Sequence, residues 1–283
     1  HNELDTLHVY DFMRTLSEYY TVNRTRISKG RELTALKGSD AIVIAQPDSA
    51  FTDKEAYIID QFIMNGGKVL WLIDPVSTNL DSLRRGGFTI GINRPLNIEQ
   101  MLFKYGVRLN PELVQDLQCG LLKVNTGFQK GQPKFQMLPW VYSPLVLADN
   151  EHPIVKNLDL IKMDYASTLD TISSAKGIKK TILLHTSKNT KTQPTPARVH
   201  LSTAARPPLE SQFRDSYKPV ACLLEGRFRS FVENRLPSVF RNDTNFHHLD
   251  EGKETRMIVV ADGDVARNEY QRSTGQVYQL GFD

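Results

Sequence analysis

Asp40–Pro75 reads DAIVIAQPDSAFTDKEAYIIDQFIMNGGKVLWLIDP, and two apolar runs within it decide the expected fold. Ala41–Ala45 and Val69–Ile73 are short, continuous and rich in β-branched residues, the pattern of strands covered on both faces. Between them, Thr52 and Glu55 have the spacing of a capping box, in which a hydroxyl and a carboxylate satisfy the amide donors left over at a helix start. Ala56, Ile59, Phe62 and Ile63 then fall on one helical stripe. Asn65, Gly66 and Gly67 tolerate the left-handed backbone that stops a helix. Strand, capped helix, glycine stop and strand in so short a span predict a βαβ crossover between parallel strands.

Working outward, the flanking elements are less sharply written. Toward the amino end, Val9, Phe12, Met13, Leu16, Tyr19 and Tyr20 recur at helical steps and predict a helix over residues 7–20, followed by a short strand up to Ile27 and a turn at Lys29 and Gly30. Toward the carboxyl end, Ile98, Met101, Leu102 and Tyr105 predict a helix over Asn97–Tyr105. Further strands are expected at Thr181–His185, Pro219–Leu224 and Met257–Ala261, with exposed loops at Ser187–Thr195 and Arg206–Pro208. Residues 119–150 contain Pro133, Pro139 and Pro144. With a turn-rich stretch before them, they predict an irregular strand-and-loop insertion at about 85–150.

The composition sets bounds. A chain of 283 residues with 40% hydrophobic and 24% charged side chains is in the ordinary globular range and long enough for a sizeable core. It is read as one α/β domain over 1–283. The 35 basic and 32 acidic residues leave +3 at pH 7, too even a balance for a nucleic-acid footprint. Arg227, Arg229, Arg235 and Arg241, interleaved with Phe228, Phe231 and Phe240, read as a solvated strand and loop. Cys119 and Cys222 lack metal-site spacing and do not make a disulfide framework, and Cys222, inside the run Val220–Leu224, is expected as a buried thiol. The sequence has no apolar run of the ~20 residues that a membrane-spanning helix needs. Because it opens at His1 rather than Met, it is expected to be a fragment of a longer membrane-anchored chain.

Each catalytic motif requires its own local chemistry, and the sequence lacks it at the places that come nearest. Phosphate-binding loops place glycines directly after a strand, whereas NGGK at Asn65–Lys68 lies between a helix end and a strand start. A nucleophile elbow needs small residues around Ser or Cys at a strand end, and here the strand ends in Asp74 and Pro75. His247 and His248 are adjacent, so on an extended chain they point to opposite sides, and no metal or cofactor is expected. The remaining candidates are the carboxylates that follow the buried strands. Asp48, Asp74, Asp262 and Asp264 would line one crevice if their strands are neighbours, because ligands of open α/β sheets collect at carboxyl strand ends. The alternative is that these residues simply make turns.

AIVIAQPDSAFTDKEAYIIDQFIMNGGKVLWLIDPV, LFKYGVRLNPELVQDLQC, HPIVKNLD, PVACLLEGRF and MIVVADGDVARN occur in this order, and together they resemble GldG, the auxiliary or substrate-binding component of a gliding-associated ABC transporter. The resemblance implies a periplasmic domain held by transmembrane segments outside this stretch, with permease and ATPase subunits as partners. More distantly, HPIVKNLD and the final DGD turn are similar to class I glutamine amidotransferase-like domains. Active members of that group carry Cys where this chain has Asp74 and Pro75. The expectation is therefore an α/β, Rossmann-like or flavodoxin-like fold, with a mainly parallel sheet flanked by helices and the insertion attached. Its expected role is noncatalytic binding of partner subunits or of an unidentified small-molecule or carbohydrate ligand. The alternative is an amidotransferase-like hydrolase or a carbohydrate-active enzyme working through carboxylates at its strand ends.

Overall fold

The computed structural model describes residues 8–27, 35–79, 82–83, 86–149, 151–232, 248–271 and 276–280. In chain order the elements are α1 (Tyr10–Ser17), β1 (Ala41–Ala45), α2 (Asp53–Met64), β2 (Lys68–Leu72), β3 (Val76–Ser77), β4 (Phe88–Asn93), α3 (Glu99–Tyr105), β5 (Val107–Leu109) and β6 (Glu112–Asp116). There follow β7 (Cys119–Gln129), β8 (Gln132–Ala148), β9 (Ile161–Lys162), β10 (Leu169–Thr171), β11 (Ile178–His185), β12 (Thr190–Pro194), β13 (Ala197–His200), α4 (Ser202–Ala205), β14 (Pro219–Arg229) and β15 (Glu251–Val260). The main sheet has the order β1-β2-β15-β14-β11-β8-β7, with β9 also paired to β8. The pairs β5–β10 and β6–β12 and the ribbon β3-β4-β13 form smaller sheets beside it.

The Asp40–Pro75 unit forms as its local signals dictate. Thr52 Oγ1 accepts from the Glu55 amide at 3.2 Å, and Glu55 Oε2 accepts from the Thr52 amide at 2.8 Å, so the capping box is closed. Gly66 has φ +95° after the helix, a left-handed conformation that suits glycine. At Gly67 an added Cβ would meet the Phe62 ring at 2.3 Å, so the chain leaves α2 against that ring. The two strands pair in parallel from Ala41 opposite Lys68 to Ala45 opposite Leu72.

Beyond this unit the expected architecture is overturned. The chain is mostly strand, in a mixed and largely antiparallel sheet with few helices, rather than a Rossmann-like parallel sheet flanked by helices. Among the described residues only β1–β2 and β2–β15 pair in parallel, and β15–β14, β14–β11, β11–β8 and β8–β7 are all antiparallel. Of the two runs expected to be covered on both faces, β2 is largely buried, whereas β1 lies at the sheet edge with no buried residue and Val43 41% exposed. An apolar run is silent both on its place in the sheet and on the direction of its neighbours. Parallel neighbours need crossover connections. Here β7 and β8 form a hairpin, and the longer connections from β8 to β11 and from β11 to β14 carry the small strands β9, β10, β12 and β13 and return the chain antiparallel.

The cover differs on the two faces. On one, Ile59 and Ile63 of α2 and Met101, Leu102 and Tyr105 of α3 pack with Trp71, Cys222, Leu224 and Val259. On the other, Leu72, Leu183, Leu223 and Val260 meet Val155, Met163, Ala166 and Ala266 from irregular segments, with Phe12 of α1. A third cluster centred on Trp140 and Tyr142 fills the space toward β13 and α4.

Residues 85–150 also differ from expectation, since they hold β4 to β8, including the longest hairpin of the chain. Prolines are confined to strand edges and bulges because they lack an amide donor. Pro133, Pro139 and Pro144 sit where β8 pairs with β7 alone, before it meets β9 and β11 at Leu145–Ala148, so the missing donors can face away from a ladder. Residues 21–27 form no strand, α1 and α3 are shorter than expected, and the expected loop at 187–195 contains β12. Lys29 and Gly30 lie outside the described residues.

Candidate functional site

Parallel pairing places the carboxyl ends of β1, β2 and β15 side by side. The Gln46 amide donates to the Leu72 carbonyl at 2.9 Å and the Ile73 amide to the Val260 carbonyl at 3.0 Å, which carries the register one residue past the strands. Asp74 and Asp262 consequently emerge next to each other, and Asp264 opens the short helical turn Asp264–Ala266 beside them. Carboxylate oxygens of Asp74, Asp262 and Asp264 all lie within 4.8 Å of one another. Asp48 is not among them: it is exposed and accepts from the Ser49 hydroxyl at 3.0 Å.

Every carboxylate of the trio has donors. The Gly263 amide donates to Asp74 Oδ1 at 2.5 Å. A Cβ on Gly263 would stand 2.7 Å from Asp74 Oδ2, so glycine is required there by close approach. Gln46 Nε2 donates to Asp264 Oδ1 at 2.5 Å and to Asp74 Oδ2 at 3.3 Å. Arg267 reaches Asp264 at 2.9 Å. Asp262 accepts from the Asp264 amide at 2.7 Å and from the Asp164 amide at 2.9 Å, and Asp164 itself accepts from the Ser143 hydroxyl.

Such crowding of acids away from water disfavours ionisation. Burial, with the Asp264 charge added, pushes Asp74 up to about 6 against the pull of the Gly263 amide, Gln46 and Arg94. Asp262, fully buried, is raised well above the usual carboxylate range by burial and then by Asp74, Asp264 and Asp164. Its hydrogen bond from the Asp264 amide acts in the opposite sense but does not reverse the direction. Burial also raises Asp164. The arrangement can share protons, and its oxygens could hold a hard divalent cation in place of a proton, since such ions take oxygen ligands.

Three of the four expected carboxylates thus converge. Gln46, Asp164 and Arg267 were not singled out from the sequence. Gln46 had a readable signal, because it directly follows a strand run as Asp74 does, whereas Asp164 comes from an irregular segment with no periodicity. A shallow depression of about 400 Å3, lined by Leu117, Gln118, Leu147, Ser187, Lys188, Asn189 and Tyr217, lies apart from the cluster.

The other candidates are placed as follows. Cys222 is buried, its thiol pushed up to about 12, and Cys119 is half-buried with its thiol raised, both chiefly through burial. Both are free thiols. His248 stacks on Tyr57 with ring centroids 5.7 Å apart and sits 3.0 Å from an Asp250 oxygen. Of the Arg and Phe cluster, Phe228 is buried in the first core and Phe231 packs against it. Arg235, Phe240, Arg241 and His247 lie outside the described residues. No described helix is long and apolar enough to cross a membrane.

Comparison with known proteins adds one whole-chain match. A family model described as an ABC-type uncharacterized transport system matches residues 1–283. No curated protein matches the chain. Among solved structures, the mmIFT52 N-terminal domain is similar, with a TM-score of 0.46 and 12% identity over 92% of this chain and 81% of that one.

Proposed function

The chain belongs to the family of auxiliary components of ABC-type transport systems, and on that premise we propose that it is a noncatalytic component acting on the periplasmic side of the cytoplasmic membrane. In this reading it is held there by segments outside residues 1–283 and works with a permease and an ATPase subunit. The observation that carries the proposal is the family match along the entire chain. The ordered GldG-like motifs favour a gliding-associated system within that family. The noncatalytic part of this reading is supported by the family match, which describes a transport component.

Purification of the full-length protein from its own membrane after crosslinking tests the partners. Recovery of an ATPase and a permease is expected, and their absence overturns the assignment. Loss of gliding on deletion tests the narrower reading. A ligand-binding role for Asp74, Asp262 and Asp264 is the second reading, favoured by their convergence within 4.8 Å at the ends of two neighbouring strands, β2 and β15. Divalent cations or sugars should then raise the melting temperature, and no shift with any of them removes it.

A further inference from the structure

The β7–β8 hairpin carries an exposed face that the transport reading does not use. Register pairs Leu121 with Pro139, Lys123 with Met137, Asn125 with Phe135 and, past an irregularity at Asn125–Gly127, Phe128 with Pro133. Directly opposed residues share a sheet face, so Leu121, Lys123, Phe128, Phe135 and Met137 stand on one side. Leu122, Val124 and Leu138 turn the other way and pack on the Trp140 cluster. On the outward face Leu121 is 53% exposed, Phe128 74%, Phe135 53% and Met137 56%. From Phe128 to Met137 every residue is exposed, so the end of the ribbon stands clear of the body. It turns tightly at Lys130 and Gly131, with φ +50° and +80°, the positive pair that a two-residue hairpin turn requires.

Charge identifies what such a tip fits. Between Asp116 and Asp149 the chain carries Lys123, Lys130 and Lys134 and no acidic side chain. Lys123 Nζ lies 5.0 Å from the Phe135 ring centroid, Lys130 is at the turn, and Lys134, opposite Gly127, is on the reverse face. Cations therefore stand around an apolar face that ends in the polar turn Gln129–Gln132. We propose that the end of this hairpin lies in the interface of a bilayer containing anionic lipid, with Phe128 and Phe135 turned toward the acyl boundary and the polar turn and the three lysines among the headgroups. Phe and Leu side chains of interfacial segments bury at the headgroup and acyl boundary, lysine stems can lie along apolar surface while their ammonium groups stay in water, and basic groups are drawn to anionic headgroups. A protein partner would cover one face of the ribbon, whereas headgroups can meet lysines on both.

Cosedimentation of the chain with vesicles of phosphatidylcholine, with or without phosphatidylglycerol, tests the proposal without any transporter subunit, so its failure leaves the transport assignment standing. Binding is expected to the anionic vesicles and to weaken with salt. Each Lys→Gln change should weaken it about fivefold, and F128S with F135S by roughly tenfold or more, with melting temperatures unchanged because these side chains are exposed. In Phe128→Trp, emission should shift to the blue when anionic vesicles are added, over the constant signal of the buried Trp71 and Trp140. The proposal is overturned by no binding to anionic vesicles, by binding indifferent to these substitutions, or by an unshifted Phe128→Trp spectrum. It is also overturned if tip substitutions spare vesicle binding but abolish recovery of a permease, which would mean that a protein covers the face.

Discussion

The β1-β2-β15 end of the main sheet and the β8-β7 end are ladders of the same backbone bonds made under opposite conditions. At the first end Trp71 and Val259 are buried on one side, Leu72 and Val260 on the other, and α2 is fastened by its own capping box. At the second, the strands outrun their cover, and Phe128, Phe135 and Met137 face solvent. At the first end β2 and β15 draw their stability from burial while β1 forms a half-exposed edge, and local residues specify the unit. The second depends on cross-strand register and on whatever its outer face meets.

Substitutions can break this contrast. Trp71→Ala should destabilise by roughly 3–5 kcal/mol, the cost of emptying a large core site, read by denaturant unfolding. A loss below about 1 kcal/mol would mean that the parallel end is not the anchor of the sheet. Asp74 sharpens the same side through pH. Its folded value of about 6 lies above the unfolded value near 3.8. Below about pH 4 the carboxyl is protonated in both states, and between 4 and 6 the unfolded chain releases its proton first, so stability falls as pH rises and the loss is complete above 6. In Asp74→Asn, which keeps an acceptor for the Gly263 amide, that loss should vanish. Relative to wild type, the variant should gain on the order of 2–3 kcal/mol between pH 4 and pH 7, and parallel pH curves for the two proteins would contradict the burial of this group.

Two smaller effects complete the series. Thr52→Ala removes one half of the capping box and should cost about 1 kcal/mol, provided α2 relies on its local signal. Phe135→Ala, at the other end of the sheet, should change unfolding by no more than about 0.5 kcal/mol. A larger effect in free solution would show that the hairpin face is packed against the body after all.

Much of the first region was legible in the sequence because its determinants are neighbours along the chain: Thr52 with Glu55, Phe62 with Gly67, and two unbroken apolar runs. Strand direction was not legible. Val220–Leu224 is as apolar as Ala41–Ala45, yet it pairs antiparallel with β11 and β15, and nothing within the run records that. Pro133, Pro139 and Pro144 misled for a related reason. A proline excludes one hydrogen-bonding edge, and whether that edge is needed depends on residues far away in sequence. The carboxylate cluster was partly readable for the opposite reason: Asp74, Asp262 and Asp264 follow strands that could be recognised singly, and the parallel register aligned their ends. Asp48 lies two residues beyond Gln46, and by then the chain has turned away from the cluster.

The position of β15 bears on the order in which the chain can fold as it is made. Among the described residues β15 follows every other strand of the main sheet in the chain, yet in space it lies between β2 and β14 and pairs with both. Until Glu251–Val260 is available, β1 and β2 form a two-stranded ribbon, which is marginal by itself, while β14, β11, β8 and β7 can already be zipped together. A chain stalled before residue 251 therefore has a strand-wide gap between two ladders, bridged by the helices, with Asp60 of α2 accepting from Ser230 and Phe231 and Tyr105 of α3 against Phe228. Closing that gap, late and in a single event, also brings Asp262 to Asp74.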